Sequence, residues 1–283
     1  MDAVTKLDLK VLVITDKSQV FSEYFPEKVI TINFEQWQES IENIRAWSVK
    51  FDLKAVIGVD EESIILAANL SEFLGIKHNS LESVKLTKDK YLMRKALKDS
   101  GLKSPWFKRF SVNETPKDIV TEISFPCVLK PTFLSASQGV IRADNVSEFC
   151  ISFEILSGLL SQEEMKIQGG DQANWILVEE YISGKEVSIE GIVNEGKLKE
   201  LAIFDKPEPL EGPTFPETIF ITPALLSEQL QISLLETAQT ALEALGIIKG
   251  PVHVELRINK NGNYILECAA RSIGGLCSKV LEF

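Results

Sequence analysis

The chain has 283 residues, of which 45% are hydrophobic and 25% charged, and its 30 Lys and Arg against 41 Asp and Glu give a net charge of −11. This composition is typical of a globular protein with one large or two to three smaller domains, and it excludes a disordered or fibrous chain. The acidic balance argues against a nucleic-acid partner or an anionic membrane surface. We expect a soluble, cytoplasmic protein, because no apolar stretch reaches the roughly 18 residues of a membrane span and the N-terminus lacks the order of a signal peptide. Four scattered cysteines and two histidines also argue against a disulfide framework and a Cys/His zinc site.

The first 75 residues predict a small α/β unit. Apolar runs at 9–15 and 53–59 are of the strand type, and the spacing of apolar residues at 36–50 and 61–74 predicts two helices, the second closed by Gly75. The alternation of strand and helix indicates a parallel sheet. No glycine-rich G-x-G-x-x-G follows the first strand, which argues against a dinucleotide site there and favours a scaffolding or substrate-facing role.

A helix followed by short strands is predicted for the middle of the chain. Thr87 is the expected N-cap of a helix over 88–100. Glu195-Gly196 is the expected turn of a hairpin. The predicted strands, including the two of that hairpin, are 107–111, 127–130, 175–182, 186–193 and 198–204.

The proline-rich segment 205–218 is predicted to be a functional loop because of its length, with Asp205 and Lys206 as candidate substrate-side residues. After it, a stripe of leucines and alanines predicts a helix over 226–245 that ends at Gly246.

The last two predicted strands, 252–258 and 264–269, form a hairpin whose register can be derived. In the first strand the apolar side chains alternate with His253, Glu255 and Arg257. In the second strand the apolar set is Tyr264, Leu266 and Cys268.

Only one loop length aligns the two apolar faces. A two-residue Asn261-Gly262 turn would place Leu256 opposite Glu267, whereas a three-residue loop with Gly262 in a left-handed bulge position places Leu256 opposite Leu266 and Ile258 opposite Tyr264. The three-residue loop also places Glu255 directly opposite Glu267.

Two opposed glutamates repel each other, since cross-strand Cβ atoms lie roughly 4.5–5.5 Å apart. A shared proton or the nearby Arg271 could offset the repulsion, and a divalent cation fits best, because Mg²⁺ prefers one or two carboxylates with water and substrate phosphates. The alternative is a solvent-exposed acidic face on which the two charges tolerate each other.

Two lysines are candidates for an anionic ligand. Lys90 lies in the first turn of its predicted helix, where the helix dipole disfavours a cation, and Lys130 ends an apolar run before the small-residue segment 132–139. Such a loop can cradle phosphate oxygens. A surface lysine and a charge at a strand edge are the alternatives for these two residues.

Carboxylates also recur near the end of the strand at 175–182 and in the segment that follows, at 179, 180, 186 and 190. Hydrogen bonding to an adenine amino group and to ribose hydroxyls is the functional interpretation, and a polar strand edge is the alternative. His253 shares a face with Glu255, and a lone histidine in a strand is interpreted as structural.

Six motifs follow one another in a characteristic order: VDEESIILAANLSEFLGIKHNSLESVKLTKDKYLMRKALKDSGLKSP, FPCVLKP, SASQGV, ILVEEYISGKEVSIEG, GPVHVELR and YILECAARSIGG. In this order, over essentially the whole chain, the sequence resembles the ATP-grasp superfamily. It is most similar to the carboxylate–amine (amino-acid) ligase branch, and also to the ATP-binding domains of carbamoyl-phosphate synthetase and biotin carboxylase.

The resemblance implies an α/β pre-ATP-grasp domain over 1–86 followed by a two-subdomain α+β ATP-grasp fold, with a lid-side subdomain over 87–180 and a C-terminal subdomain over 181–283. It further implies an ATP-dependent ligase that forms a C–N bond through an acyl phosphate, with ATP and Mg²⁺ as cofactors and a small-molecule carboxylate and amine as substrates. No nucleic-acid or membrane partner is implied, and a homo-oligomer is possible.

Residue roles follow from the resemblance by matching motif. Arg271 would stabilise the acyl phosphate or the tetrahedral intermediate, and Glu255 and Glu267 would hold Mg²⁺. Glu179 would accept from the adenine amino group, and Glu186 would bind the ribose hydroxyls. The remaining nucleotide contacts would be made by the backbone of Glu180 and Ile182 at the adenine edge, by Lys90 and Lys130 at the phosphates, and by the phosphate-covering loop with Ser135, Ser137 and Gly139.

Three departures from the family pattern keep alternatives open. Ala269 stands where an asparagine ligand of a second Mg²⁺ is common, the phosphate loop has a single glycine, and relatives usually continue beyond the R-x-x-G-G segment. Part of the acceptor pocket is therefore expected to be missing or to come from another chain. A bicarbonate-using carboxylase or carbamoyl-phosphate-type enzyme, and a nucleotide-binding non-catalytic subunit, are the alternatives to the ligase.

Overall fold

The computed structural model describes residues 6–17, 23–208, 210–216 and 219–281. Its strands are β1 (Val13–Thr15), β2 (Val29–Thr31), β3 (Phe107–Ser111), β4 (Cys127–Pro131), β5 (Ile141–Ala143), β6 (Trp175–Glu180), β7 (Lys185–Asn194), β8 (Lys197–Lys206), β9 (Lys249–Asn259) and β10 (Gly262–Ala269). Its α-helices are α1 (Ile41–Phe51), α2 (Ser63–Phe73), α3 (Leu81–Lys88), α4 (Lys90–Asp99), α5 (Pro116–Ile119), α6 (Val146–Leu160), α7 (Glu163–Gly169) and α8 (Glu228–Ala244). The chain divides into two compact units, one of residues up to Gly58 with Glu62–His78 and one of Val59–Glu61 with the residues from Asn79 onward.

The first unit contains a two-stranded parallel sheet, β1 with β2, and the helices α1 and α2. Its buried core is small and comprises Ile32, Ile44, Leu66 and Leu70. The parallel sheet and both helices were predicted. The second strand was predicted wrongly, because it is β2 and not the apolar run 53–59, which forms no strand. A strand needs a backbone hydrogen-bonding partner as well as apolar side chains.

The second unit contains two four-stranded antiparallel sheets, in the orders β3-β6-β4-β5 and β10-β9-β7-β8. Phenylalanines and leucines of α6 cover the first sheet, and α8 covers one face of the second through Leu234, Ala238 and Ala241. The predicted strands of this part of the chain and the helix ending before Gly246 are all confirmed. The tight turn of the β7–β8 hairpin is also confirmed, with Glu195 and Gly196 at positive φ.

The start of α4 differs from the prediction. Thr87 is not the N-cap: its hydroxyl donates to Val84 O in α3, and the cap is Asp89, whose carboxylate accepts from the N–H groups of Tyr91 and Leu92. The chain forms two successive helices separated by Asp89, and an aspartate is a strong N-cap. Lys90 lies in the first turn of α4, as predicted.

The predicted loop 205–218 begins later than expected. Asp205 and Lys206 belong to β8, where Lys206 pairs with Glu186 and Asp205 with Val187. Ladder pairing therefore holds these two residues, and the irregular segment starts at Pro207.

The last hairpin places Glu255 opposite Glu267, as predicted, by a different route. The loop has two residues, because Asn259 pairs with Gly262, and the register shifts at a β-bulge between Ile265 and Glu267. The predicted bulge at Gly262 is therefore wrong, and the extra residue is Leu266.

The position of the bulge also corrects the predicted pairs before it. Leu256 lies opposite Ile265 rather than Leu266, and Ile258 lies opposite Asn263 rather than Tyr264. The reason is packing: Ile265 is only 2% exposed and shares the core with Leu256, so the alternation is reset after Ile265 and not before it.

Candidate active site

The site is built on one face of the β10-β9-β7-β8 sheet. Val187, Ile189, Val254 and Leu256 point into the core under α8. Because side chains alternate along a strand, their neighbours lie on the opposite face. We call this the charged face, and it carries Glu186, Glu190, Lys206, His253, Glu255, Arg257 and Glu267.

Glu255 is the centre of the charged face. Its Oε1 accepts from Lys206 Nζ at 2.6 Å and lies 3.3 Å from His253 Nε2. Burial alone would raise the pKa of Glu255, but Lys206 and His253 outweigh that effect and hold the pKa well below its ordinary value. Glu255 is therefore an anion at neutral pH.

His253 bridges two carboxylates. Its Nδ1 hydrogen-bonds to Glu190, and its Nε2 faces Glu255. Burial alone would lower the pKa of His253, but the hydrogen bonds with these two carboxylates raise it to about 10. The ring is thus an imidazolium near neutral pH, and both of its nitrogens donate.

A second buried carboxylate, Glu186, lies on the same face as His253 and binds two cations. Glu186 accepts from Lys206 Nζ at 2.8 Å and from Arg257 Nε at 2.9 Å. Arg257 also donates to Ile182 O at 2.7 Å. Lys206 therefore joins Glu186 to Glu255, and the charged face is one connected network.

Glu190 connects this network to the segment after β10. Its Oε2 accepts from the N–H of Ile273 at 2.9 Å, while its Oε1 is the partner of His253. The segment that carries Arg271 is therefore anchored to β7 by a buried carboxylate that is 2% exposed.

Lys90 approaches the charged face from α4. Its Nζ lies 3.4 Å from Glu267 Oε2 and donates to Leu134 O at 2.7 Å. The N–H of Lys90 donates to Thr132 O at 2.9 Å, so the same residue fixes the chain at the start of the predicted phosphate loop. Lys90 is 7% exposed and is therefore not a surface lysine, and its contact with an anionic ligand stays a prediction.

Lys130 and Glu179 meet on the neighbouring sheet, where they form a buried ion pair. Arg94, on α4, donates to both oxygens of Glu179, at 2.8 and 3.2 Å. Burial alone would raise the pKa of Glu179, but the two cations lower it to about 2. For Lys130, burial lowers the pKa below its ordinary value despite the attraction of Glu179.

The predicted phosphate loop is a tight turn after β4. Ala136 and Ser137 both adopt left-handed φ values, 52° and 55°, and Gly139 follows at 69°. Non-glycine residues in this conformation cost about 1–3 kcal/mol each and are typical of functional loops. Ser135 and Ser137 are partly exposed in this turn.

Three other candidates have partners of their own. The N–H of Glu180 donates to Trp106 O at 2.8 Å, and the carbonyl of Ile182 is the acceptor for Arg257. Arg271 donates to Glu61 Oε1 at 2.6 Å and to the carbonyl of Ser272 at 2.9 Å.

The two predicted magnesium ligands are the most accessible carboxylates of the charged face. The side chains of Glu267 and Glu255 are 20% and 16% exposed, whereas those of Glu179, Glu186 and Glu190 are 3–9% exposed. No group of three or more His, Cys, Asp or Glu is arranged for a metal ion within the described ranges. Two reachable carboxylates beside lysines fit a cation that takes its other ligands from water and phosphate, which is the preference of Mg²⁺.

Sequence reasoning missed Arg94 and the anchoring role of Arg257. Arg94 lies four residues after Lys90, on the same side of α4, and this spacing is the one signal that could have pointed to it. Arg257 was placed on the correct face of β9, but its contact with Ile182 joins positions 75 residues apart.

The chain is similar to known proteins both in sequence and in structure. The ATP-grasp domain profile matches residues 123–280. Alanine–anticapsin ligase of Bacillus subtilis is 30% identical over 251 residues, which is 84% of this chain and 52% of that protein. D-Alanine–D-alanine ligase of Flavobacterium johnsoniae is 27% identical over 82% of this chain and 70% of that protein.

The crystal structure of an L-amino acid ligase from Bacillus licheniformis superposes with a TM-score of 0.78 at 27% identity, covering 97% of this chain and 65% of that one. This chain therefore spans about half the length of alanine–anticapsin ligase and about two thirds of the solved L-amino acid ligase. Within the described residues, none of the helices has the length and apolar character that crossing a bilayer requires.

Proposed function

The chain belongs to the ATP-grasp family, and on that premise we propose that it is an ATP-dependent carboxylate–amine ligase that acts on amino-acid-like substrates through an acyl phosphate. The observation that carries this proposal is the opposed pair Glu255 and Glu267, the most accessible carboxylates of the charged face, with Lys90 and Lys206 beside them. The relatives named as amino-acid ligases support the substrate class.

ATP lies between the two sheets of the second unit in this proposal. Lys90 and Lys130 bind its phosphate oxygens, and the turn with Ser135, Ser137 and Gly139 covers them. These groups need only position and neutralise, because charge on a transferred phosphoryl group is spread over its equatorial oxygens.

The adenine and ribose of ATP bind to Glu179 and Glu186 in this proposal. A carboxylate has about four acceptor sites. Arg94 and Lys130 use three of those of Glu179, which leaves one on Oε2 for the adenine amino group. Lys206 and Arg257 use two sites of Glu186, and the others receive the ribose hydroxyls. The backbone of Glu180 and Ile182 forms the adenine edge.

Glu255 and Glu267 would hold Mg²⁺, which, when bound, neutralises the phosphates between which the bond breaks. A substrate carboxylate attacks the γ-phosphorus of ATP, forming an acyl phosphate and ADP. An amine then attacks the acyl carbon and expels inorganic phosphate. Arg271 stabilises the charge that develops on oxygen in this second step. A guanidinium has five donors, and two of those of Arg271 are used by Glu61 and Ser272.

The test is ADP release by the chain with pairs of L-amino acids and Mg·ATP. The proposal requires ADP formation that depends on both a carboxylate and an amine substrate, and dipeptide-like product in equal amount. A carboxylate substrate labelled with ¹⁸O should deliver one label to the released phosphate, because the carboxylate oxygen attacks phosphorus.

The outcomes separate the alternatives. ADP release that requires bicarbonate instead of an amino acid would favour a carboxylase or carbamoyl-phosphate-type enzyme. Binding of Mg·ATP without turnover over a broad panel would favour a non-catalytic subunit or a chain that needs a partner to complete its acceptor pocket. Thermal denaturation reports the binding, since ligand at 100 times its Kd adds about 2.7 kcal/mol to the free energy of unfolding.

A further inference from the structure

The β-bulge in β10 decides on which side of the sheet Glu267 lies. Before the bulge Ile265 pairs with Leu256, and after it Glu267 pairs with Glu255, so Leu266 is an extra residue without a partner on β9. If the register before the bulge continued, Leu266 would lie opposite Glu255 and Glu267 opposite Val254, whose side chain is in the core. The bulge therefore brings Glu267 to the charged face.

The bulge carries backbone carbonyls that α4 satisfies. A bulge disrupts the hydrogen bonds of its ladder, and β10 is an edge strand with β9 as its one neighbour. Arg94 Nη1 donates to Ile265 O, and Arg94 Nη2 donates to Leu266 O at 3.1 Å. One guanidinium thus holds both carbonyls of the bulge.

Arg94 is itself held in place. Its side chain is 1% exposed, and its Nε and Nη2 donate to the two oxygens of Glu179 on β6. The planar fork of the guanidinium can bind a carboxylate and two carbonyls at once, which the single ammonium of a lysine cannot do in the same geometry. Arg94 therefore joins the nucleotide-side strand β6 to the bulge beside Glu267.

We propose that Arg94 is a positioning residue that fixes the bulge at Leu266 and thereby keeps the Glu267 carboxylate on the charged face opposite Glu255, where the two carboxylates would hold Mg²⁺; this rests on the proposed function. Arg94 touches neither nucleotide nor metal in this role. It acts through the two carbonyls that precede Glu267 and through Glu179.

The test measures the Mg²⁺ dependence of ADP binding by titration calorimetry, which requires no turnover and no amino-acid substrate. Arg94→Lys should raise the half-saturating Mg²⁺ concentration about tenfold, the lower end of the effect of removing a group that orients a metal ligand. Lys95→Gln, at an exposed residue of the same helix, is the matched control and should leave the Mg²⁺ dependence unchanged.

Leu266→Gly loosens the bulge directly and leaves Arg94 and Glu179 intact. It should raise the half-saturating Mg²⁺ concentration several-fold, about three to ten, because glycine widens the conformations open to the bulge, and it should leave ADP binding in EDTA unchanged. If Arg94→Lys does not fold, this second variant decides.

A Mg²⁺ dependence that stays within twofold of the wild-type value in the folded variants would overturn the inference. Lowered thermal stability with an unaltered Mg²⁺ titration would make Arg94 a structural residue only. If the wild-type chain itself binds ADP without any response to Mg²⁺, the proposed magnesium site fails, and that result is distinguishable because it appears before any substitution is made.

Discussion

The core face and the charged face of the β10-β9-β7-β8 sheet are made by the same strands, and most side chains on both are buried. Burial favours folding on the core face and opposes it on the charged face. On the core face Val254 and Leu256 are 0% exposed and gain from the removal of apolar surface from water. On the charged face Glu186 and Arg257 are 8% and 4% exposed, and each loses hydration that only its partner offsets.

This difference indicates that the charged face lowers the stability of the fold, while it carries the groups that can take part in chemistry. Replacing a buried ion-pair network by apolar residues is often neutral or stabilising, so the network on the charged face is not needed to hold the sheet together. Removing one member of such a pair is costly, about 3–5 kcal/mol, because the other charge stays buried. Single substitutions on either face should therefore lower stability, and only those on the charged face should also change activity.

The largest effect is expected from Glu267→Gln. The substitution removes the negative charge of the most accessible carboxylate on the charged face. We expect turnover in the ADP-release assay to fall about 10²–10³-fold, as for loss of one electrostatic contact to a reacting group. Glu200→Gln, at an exposed residue of β8, is the matched control and should retain wild-type turnover. Equal activity of the two variants would show that the charged face is not the reaction site.

The core face is tested by Leu256→Ala. A cavity at this fully buried position should lower the free energy of unfolding by about 2–5 kcal/mol in urea denaturation. The turnover of the folded fraction should change little, since the side chain points away from the charged face. A loss of turnover comparable with that of Glu267→Gln would contradict the expectation that only the charged face affects activity.

The pH dependence of stability comes from buried charge, and Glu179 is the best case. Its pKa of about 2 in the folded chain lies below the ordinary value of 4.5, so its contribution to stability is complete above pH 4.5 and is lost as the pH falls towards 2. The depression corresponds to roughly 3 kcal/mol. Wild type and Glu179→Gln should therefore differ in urea midpoint at pH 6, and the difference should shrink as the pH falls from 5 to 3. A constant difference over that range would argue against an ionised Glu179.

The smallest effect is expected at a position that belongs to neither face. Glu195 adopts a left-handed φ of 53° in the turn between β7 and β8, beside Gly196. Asparagine tolerates this conformation better than glutamate, so Glu195→Asn should raise the free energy of unfolding by up to about 1 kcal/mol. Turnover should be unchanged. A loss of stability would mean that the Glu195 side chain contributes more than its backbone strain costs.

Much of this sheet was predictable because its signals are local. Alternation of apolar and polar residues assigned His253, Glu255 and Arg257 to one face of β9, and a glutamate followed by glycine marked the β7–β8 turn. The opposition of Glu255 and Glu267 was also predicted. The predicted position of the bulge was wrong. The alternation of apolar and polar side chains requires one extra residue in the hairpin but does not say where that residue lies.

The apolar run 53–59 is the clearest wrong prediction from the sequence. Its composition is that of a strand, but strand formation depends on a neighbouring backbone edge, and β2 at 29–31 is the strand that pairs with β1. The N-cap at Asp89 was missed because Thr87 was an acceptable cap by type, although an aspartate is the stronger cap.

The amino-acid sequence by itself determined the periodicities, the turns, the family resemblance and the pair of carboxylates, because each depends on residues close together in the chain. Tertiary structure decided the bulge at Leu266, the contacts of Arg94 across 85 to 172 positions and the joining of Glu186 to Glu255 through Lys206. These depend on which backbone groups and charges remain to be satisfied once the sheets and α4 have packed, and no local pattern encodes that requirement.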